Sequence, residues 1–413
     1  MQSRRPGLGF IFITLFLDIL GIGIVVPVLP GLVEQVHGGG KESSAFFYGL
    51  LVALYCFAQF FCAPILGTLS DQVGRRPVIL WSLFGAGLDY FLLAALGSGA
   101  FPWLNGIGWL IAARLIAGAT GGNFSACTAY IADISPPEKR AANFGIIGAA
   151  FGLGFAIGPA IGGILGKFGY HVPFLVAGVI VMLNCVYGLL ILPESHKPEN
   201  RRKFQLSRAN PVASLKGLRR SPLIFGMSMS FFFYHVAHYV YQSVWVLFAG
   251  YRLGWDTLEI GVSLAVVGIM SAFVQGFLGR KMLPKLGERL AMKLGLIIMA
   301  LEMVGFGLAH NSLTMYLVII FGSVSGIASP AMQGIISRNV GDDEQGWIQG
   351  AMTSLSSLAG ILAPPLLTGV YAFFISEKSP VELPGAPFFF SAILVVAVTG
   401  IALASTRRGG NFD

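Results

Sequence analysis

Charge is scarce in this sequence. Of 413 residues only 11% are charged, 27 basic and 19 acidic, where a soluble chain carries about twice that fraction. The shortage leaves no room for a soluble domain of useful size. Cysteine is also scarce. Cys56, Cys62, Cys127 and Cys185 all fall in apolar runs, with neither metal-ligand spacing nor a disulfide framework, and read as small packing residues. A phosphate loop, a nucleophile–base pair and a metal constellation are all missing, so neither enzyme chemistry nor a resident cofactor or metal is expected. A cleavable leader is not expected either. The first apolar run is too long, is punctuated by glycine and proline, and lacks a small-residue cleavage site.

What remains is apolar. Hydrophobic residues make up 55% of the chain and the mean hydropathy is +0.75. About twelve runs are long enough to cross a hydrocarbon core ~30 Å thick. They lie near 8–30, 45–68, 77–97, 106–132, 142–166, 172–192, 222–249, 257–280, 290–309, 313–337, 345–374 and 386–405. The fold class is therefore an all-α polytopic membrane protein.

The net charge of +8 would suit a nucleic-acid partner, but its distribution excludes one. With the N-terminus in the cytoplasm, Arg4, Arg5, Arg75, Arg76, Lys139, Arg140, the 197–220 loop, Arg280, Lys281, Lys285, Arg289, Lys293, Arg338, Arg407 and Arg408 share one side. The other side keeps little more than Lys41, Lys167, Arg252 and Lys378. This bias puts both termini in the cytoplasm and makes the lipid bilayer, with its anionic headgroups, the partner of the basic surplus.

Residues 193–221 are polar, basic and proline-punctuated. They read as a cytoplasmic connector, with a short helix around Pro211–Leu218, between a six-helix half at 1–192 and another at 222–413. A weak repeat supports the division. Gly121, Gly145 and Pro159 recur as Gly326, Gly350 and Pro364, each 205 positions on. Parallel repeats of six helices are one transporter plan, with the substrate near the midplane.

Several polar residues interrupt the apolar runs. In "GTLSDQVGRRP", residues 67–77, Gly67 and Gly74 permit close approach and a tight turn. Asp71 and Arg75 are spaced to interact with each other or with helix ends, a cluster that can latch one conformation and break in another. Arg114, in "RLIAGATGG", needs a partner or a wet cavity, or must reach the outer interface. In "GFAIGPAIGG" Gly154, Gly158 and Gly162 share one helix face, and Pro159 removes a backbone hydrogen bond. Asp18, in "LFLDILGIGIVVPVLP", and Asp89, in "GLDYF", are carboxylates in hydrocarbon, where protonation removes the cost of the charge. One or both would carry a proton. A carboxylate bonding backbone near Gly21 or Gly23 is the other reading of Asp18. Glu302, in "MALEMVG", is a further intramembrane acid. His235, His238, Tyr241 and Gln242, in "YHVAHYVYQSVW", suit either an amphipathic ligand or bonding between helices, and no third ligand makes the histidine pair a metal site.

The 67–77 pattern resembles the signature loop of the major facilitator superfamily. Asp71 and Arg75 match its acidic and basic positions, and Asp133 resembles the acidic partner of the same cluster. The resemblance implies a proton-transfer role for Arg114 and, through the span-five pattern, antiport. The stretches at 15–30 and 85–94, "AFGLGFAIGPAIGG", "VWVLFAGYRLGW", "GIASPAMQGIIS" and "QGAMTSLSSLAG" together look like the tetracycline-efflux branch of drug–proton antiporters, along nearly the whole chain. Asp18 and Asp89 match that branch's carboxylates.

Departures fall in the second half, which is expected to tune substrate recognition. Met299 stands where such exporters typically carry an aspartate, Glu302 follows one turn later, and Ser271 replaces a histidine of some members. "RKMLPKLGER" lacks the acid of the first-half signature, so two unequal latches are expected. The implied function is proton-coupled export of amphipathic drugs, tetracycline-like compounds first, by a monomer in the cell inner membrane. The coupling ion would be the proton, and the substrate a magnesium chelate. Transport of a metabolite, sugar or other antibiotic is the alternative with the same fold, and a non-transporting receptor or scaffold the alternative of another class.

Overall fold

The computed structural model describes residues 7–104, 106–121, 123–136, 140–196, 199, 201, 215, 217–340 and 345–408. The helix expected around Pro211–Leu218 lies almost wholly outside them; Gly217–Arg220 is a short 3-10 turn. No strand occurs among the described residues. The α-helices are α1 Leu8–Val25, α2 Leu29–His37, α3 Lys41–Val73, α4 Arg75–Ser98, α5 Ile107–Thr120, α6 Asn123–Ile134, α7 Arg140–Gly166, α8 His171–Leu190, α9 Pro222–Ser243, α10 Trp245–Leu253, α11 Thr257–Phe273, α12 Gly279–Leu308, α13 Ser312–Gly322, α14 Ala328–Arg338, α15 Gln345–Ile375 and α16 Ala386–Arg408.

Among the described residues, 10 helical segments are long and apolar enough to cross a membrane, and Thr257–Phe273 is apolar but shorter. The remaining expected run, 106–132, is divided into α5 and α6 after Thr120, where Gly121 follows as the cap. Three other runs end earlier than expected, the eighth giving way after Phe273 to a π-helical segment, Val274–Leu278. The first stops at Val25, just before Pro27, and the chain restarts as α2 with Pro30 in its first turn, where a missing N–H costs nothing. The seventh stops at Ser243, and α10 begins beyond Val244. The tenth run is α13 and α14 joined by a 3-10 segment, Ser323–Ile327.

The chain forms two compact units. The first comprises Met1–Gly38, Phe57–Asn210 and Trp255–Ala272, and the second Gly39–Cys56, Pro211–Gly254 and Phe273–Asp413. In the first, α1 packs on α7 and α8, and α4 on α5, α6 and α8. In the second, α9 packs on α15 and α16, and α12 on α13, α14 and α16. The order of pairing is the same within each unit.

Buried side chains such as Ile11, Leu15, Ile24, Ile79, Tyr130 and Phe174 fill the first unit. The second is centred on aromatic contacts of Phe306 with Trp245, at 5.0 Å, and with Phe388, at 5.7 Å. Other large apolar side chains point outward: Trp81, Leu183, Phe321 and Ile393 are each more than half exposed. An outward apolar surface on helices whose backbone groups bond internally is what lipid requires.

α11 begins with a reciprocal cap. The Glu259 amide donates to Asp256 Oδ1 and the Asp256 amide donates to Glu259 Oε2, both at 2.9 Å, satisfying two donors of the helix start. Lys167 Nζ adds an ion pair to Asp256 at 3.1 Å. The Glu259 amide, and then Lys167, hold the Asp256 carboxyl below its ordinary range. A carboxyl with a depressed folded pKa stabilises the fold above its unfolded value and loses that contribution only as pH falls through the folded one. Asp256→Asn is therefore expected to cost up to about 1 kcal/mol, with no change in the loss between about pH 5 and 8. Thermal unfolding of the detergent-solubilised variant at several pH values checks both parts.

Candidate functional site: intramembrane carboxylates and a helix-end charge cluster

At the junction of α3 and α4, Gly74 takes φ 112° and ψ 160°, a conformation that a side chain resists. The turn places Arg75 at the start of α4. Its Nη1 bonds Asp71 Oδ1 at 2.5 Å and Ser70 Oγ at 2.6 Å, and its Nε donates to Asp133 Oδ2 at 3.1 Å. Gly67 is different: a Cβ there would meet nothing nearer than Ser125 Oγ at 3.9 Å, so within this unit close approach does not require a glycine.

A cation at a helix N-terminus and an acid near a helix C-terminus both oppose the helix dipole. The segment after α8 offsets this. Glu194 accepts from the amides of Arg75, at 2.9 Å, and Arg76, at 3.2 Å. Ser195 Oγ donates to Asp133 Oδ2 at 3.1 Å, and His196 Nδ1 lies 3.5 Å from the same oxygen. Arg76 turns the other way and donates to the Gly188 and Leu189 carbonyls at the end of α8. The sequence reading placed Glu194, Ser195 and His196 in a connector; the only signal was an acid directly after an apolar run.

Deeper in the same unit the acids separate into two kinds. Asp89, on α4 and 2% exposed, accepts from Arg114 Nη2 at 2.9 and 2.7 Å. Arg114 is 8% exposed, so it does not reach for the interface; it has the buried partner its position demands. Asp18, half-buried on α1, accepts at 2.9 Å from Nδ2 of Asn123, near the start of α6. Asn123 Oδ1 in turn accepts from Cys127 Sγ at 3.2 Å. No cation lies within ion-pair distance of Asp18 among the described residues. The partner of Asp18 is a side-chain amide, not the nearby glycine backbone. Asn123 carried no sequence signal, because an amide in an apolar run has no distinctive spacing.

Gly154, Gly158 and Gly162 of α7 face α1, as their spacing predicts. A Cβ at Gly154 would meet Ile19 Cγ2 at 2.6 Å, and one at Gly158 would meet Gly23 Cα at 2.8 Å and the Leu20 carbonyl at 2.9 Å; one at Gly162 would overlap the Ile24 carbonyl. Pro159 stands inside α7, and a Cβ at Gly23 would meet its Cδ at 3.0 Å. The motif is a close-packed seam against the 19–24 stretch of α1 that follows Asp18. Gly162→Ala is expected to cost roughly 1–3 kcal/mol through overpacking, read as a lower unfolding temperature in detergent.

In the second unit, Glu302 of α12 packs over Gly322 and accepts from Ser325 Oγ at 2.8 Å. The buried hydroxyls of Tyr234 and Tyr241 lie in the field of its carboxylate. His238 stands between them, with its ring 5.8 Å from Tyr234 and 5.1 Å from Tyr241. His235 packs on Phe231 at 4.3 Å, and its Nδ1 is 3.4 Å from Ser356 Oγ. Met299 is buried, while the Gln242 side chain is exposed and its backbone carbonyl accepts from the Tyr48 hydroxyl. Glu302, His238 and Tyr241 thus form one cluster, and Ser325 is a member that sequence reasoning missed. Ser271 lies on α11, in the first unit.

Each intramembrane acid thus has a defined partner: a cation for Asp89, and neutral donors for Asp18 and Glu302. Known proteins are similar to this chain in sequence and in fold. The sequence profile of the Major Facilitator Superfamily matches residues 11–364. The chain is 40% identical over 397 residues to "Tetracycline resistance protein, class C" of Escherichia coli, covering 96% of this chain and 95% of that protein. It is 38% identical to "Tetracycline resistance protein, class E" of Escherichia coli, covering 87% and 86%. In fold it is similar to the crystal structure of the human organic anion transporter MFSD10 (TETRAN), with a TM-score of 0.70, 24% identity, and coverage of 96% and 98%. The chain is a multi-pass membrane transporter that belongs to the major facilitator superfamily, among the relatives of the tetracycline resistance proteins.

Proposed function

We propose that the protein is a proton-coupled antiporter that exports amphipathic drugs, tetracycline-like compounds first, by alternating access. It works as a monomer in the cell inner membrane, with both termini in the cytoplasm and no resident cofactor. The observation that carries the reading is the Asp18–Asn123 pair. An ionised carboxylate inside a membrane span is costly without a cation, and a neutral amide leaves that charge uncompensated. Protonation removes the cost. Glu302, bonded to Ser325, repeats the arrangement on the other unit. Asp89 differs, because Arg114 compensates its ionised form and no proton is needed there. In this scheme Asp18 and Glu302 carry protons, while Asp89 and Arg114 hold the helices that present Asp18.

Substrate and proton bias opposite conformations, which is sufficient for exchange. One proton entering down 100 mV supplies ~2.3 kcal/mol from the electrical term alone, enough for accumulation of a few tens-fold. His235, His238 and Tyr241 offer aromatic faces and polar edges to the drug, carried as its magnesium chelate. Asp71, Arg75 and Asp133 form a latch at the cytoplasmic end.

Everted membrane vesicles with an acidified interior and a pH-sensitive dye test the reading. Tetracycline with magnesium is expected to release protons from wild-type vesicles. Release only by other amphipathic drugs would keep antiport and change the cargo. Silence to the whole panel, with the protein verified in the membrane, would overturn it.

A further inference from the structure

The second half was expected to lack the acid of the first-half latch. It does lack an acid at the place of Asp71, where Pro284 stands, but an acid, Glu288, stands at the place of Arg75. Gly287 interrupts α12 with φ 71° and ψ 158°, as Gly74 separates α3 from α4. Glu288 follows Gly287 as Arg75 follows Gly74, and Glu288 Oε1 bonds Arg338 Nη2 at 3.1 Å. Arg338 lies 205 positions after Asp133, the interval of the internal repeat. One residue further on the correspondence holds again. Arg289 donates to the Thr406 carbonyl of α16 at 2.7 Å, as Arg76 donates to carbonyls at the end of α8. A Cβ at Gly334 would run into the Glu288 carboxylate, so Glu288 is held against α14.

The inversion has a physical logic. Glu288 begins the helix that resumes after Gly287, and Arg338 ends α14; both charges now lie where the helix dipoles favour them. The first half, with both signs opposed to the dipoles, needs Glu194 as an added cap. The second needs none. We infer that Glu288 and Arg338 form a second, charge-inverted conformational latch for transport. This inference rests on the alternating-access reading. Because Arg338 is 76% exposed, the pair adds little to static stability, and its effect is on the exchange between conformations.

Charge exchange tests it. Glu288→Arg, Arg338→Glu and the double variant are compared with wild type and Asp18→Asn in tetracycline–magnesium transport by everted vesicles. Each single variant is expected to lower turnover by up to roughly fivefold, with little change in the half-saturating drug concentration. The double variant is expected to recover most of the loss but not all, because both charges then oppose the dipoles. A thermal-unfolding cycle on the purified proteins reads the pair without transport. A double variant no better than the worse single one, in turnover and in unfolding, overturns the pairing. Coupling in unfolding with unchanged turnover makes the pair a static brace and overturns the latch. Wild-type vesicles silent to drug, with coupling retained in unfolding, refute the antiport reading and the latch that depends on it, but not the ion pair.

Discussion

Asp18→Asn is expected to cut substrate-driven proton release from vesicles far below that of wild type, while the protein still inserts and folds. The asparagine fits the same space beside Asn123 and carries no titratable proton. Because the Asp18 partner is a neutral amide, no cation is left stranded by the change, and the fold loses at most one hydrogen bond, about 1 kcal/mol. The loss should therefore appear in coupled transport and not in unfolding temperature. Drug binding to the purified variant is expected to survive. Loss of binding and folding together would place Asp18 among the structural residues instead.

Removing Arg114 should do the reverse. Arg114→Met leaves the Asp89 carboxylate, 2% exposed, without its cation. Breaking a buried ion pair from one side costs about 3–5 kcal/mol, whereas replacing both partners by apolar residues of similar volume is often neutral. Arg114→Met is thus expected to yield little folded protein, and the double variant Asp89→Leu, Arg114→Met is expected to restore much of it. Folded yield on gel filtration in detergent, followed by thermal unfolding, measures the cycle. Independent losses that simply add would mean that the two side chains do not compensate each other.

These two predictions separate residues that the sequence placed in one class. Asp18, Asp89, Arg114 and Glu302 were all legible as charges in apolar runs, since the cost of burying a charge is a property of the residue and its neighbours in sequence. Their partners were not legible. Asp89 and Arg114 stand on different helices, and nothing in their spacing says that their side chains meet. Asn123 and Ser325 are ordinary polar residues until the fold brings them to a carboxylate. The glycine face of α7 could be read in full, because its spacing fixes a helix face and small size fixes what that face can do. The Glu288–Arg338 pair was hidden for another reason: a search by signature looks for an acid at a fixed place, and here the repeat keeps the geometry while exchanging the signs. The break after Thr120 and the separate α2 and α10 depended on local capping and on proline, which shift helix ends without altering the apolar pattern.

The central claim is that Asp18 and Glu302 release protons when drug binds. Its most direct measurement is the pH change of lightly buffered, purified protein in detergent on addition of tetracycline–magnesium. Wild type should release protons on binding. Asp18→Asn and Glu302→Gln should each release fewer, and the double variant none, while all still bind drug. Undiminished release from the double variant would contradict the account, because the protons would then come from other groups.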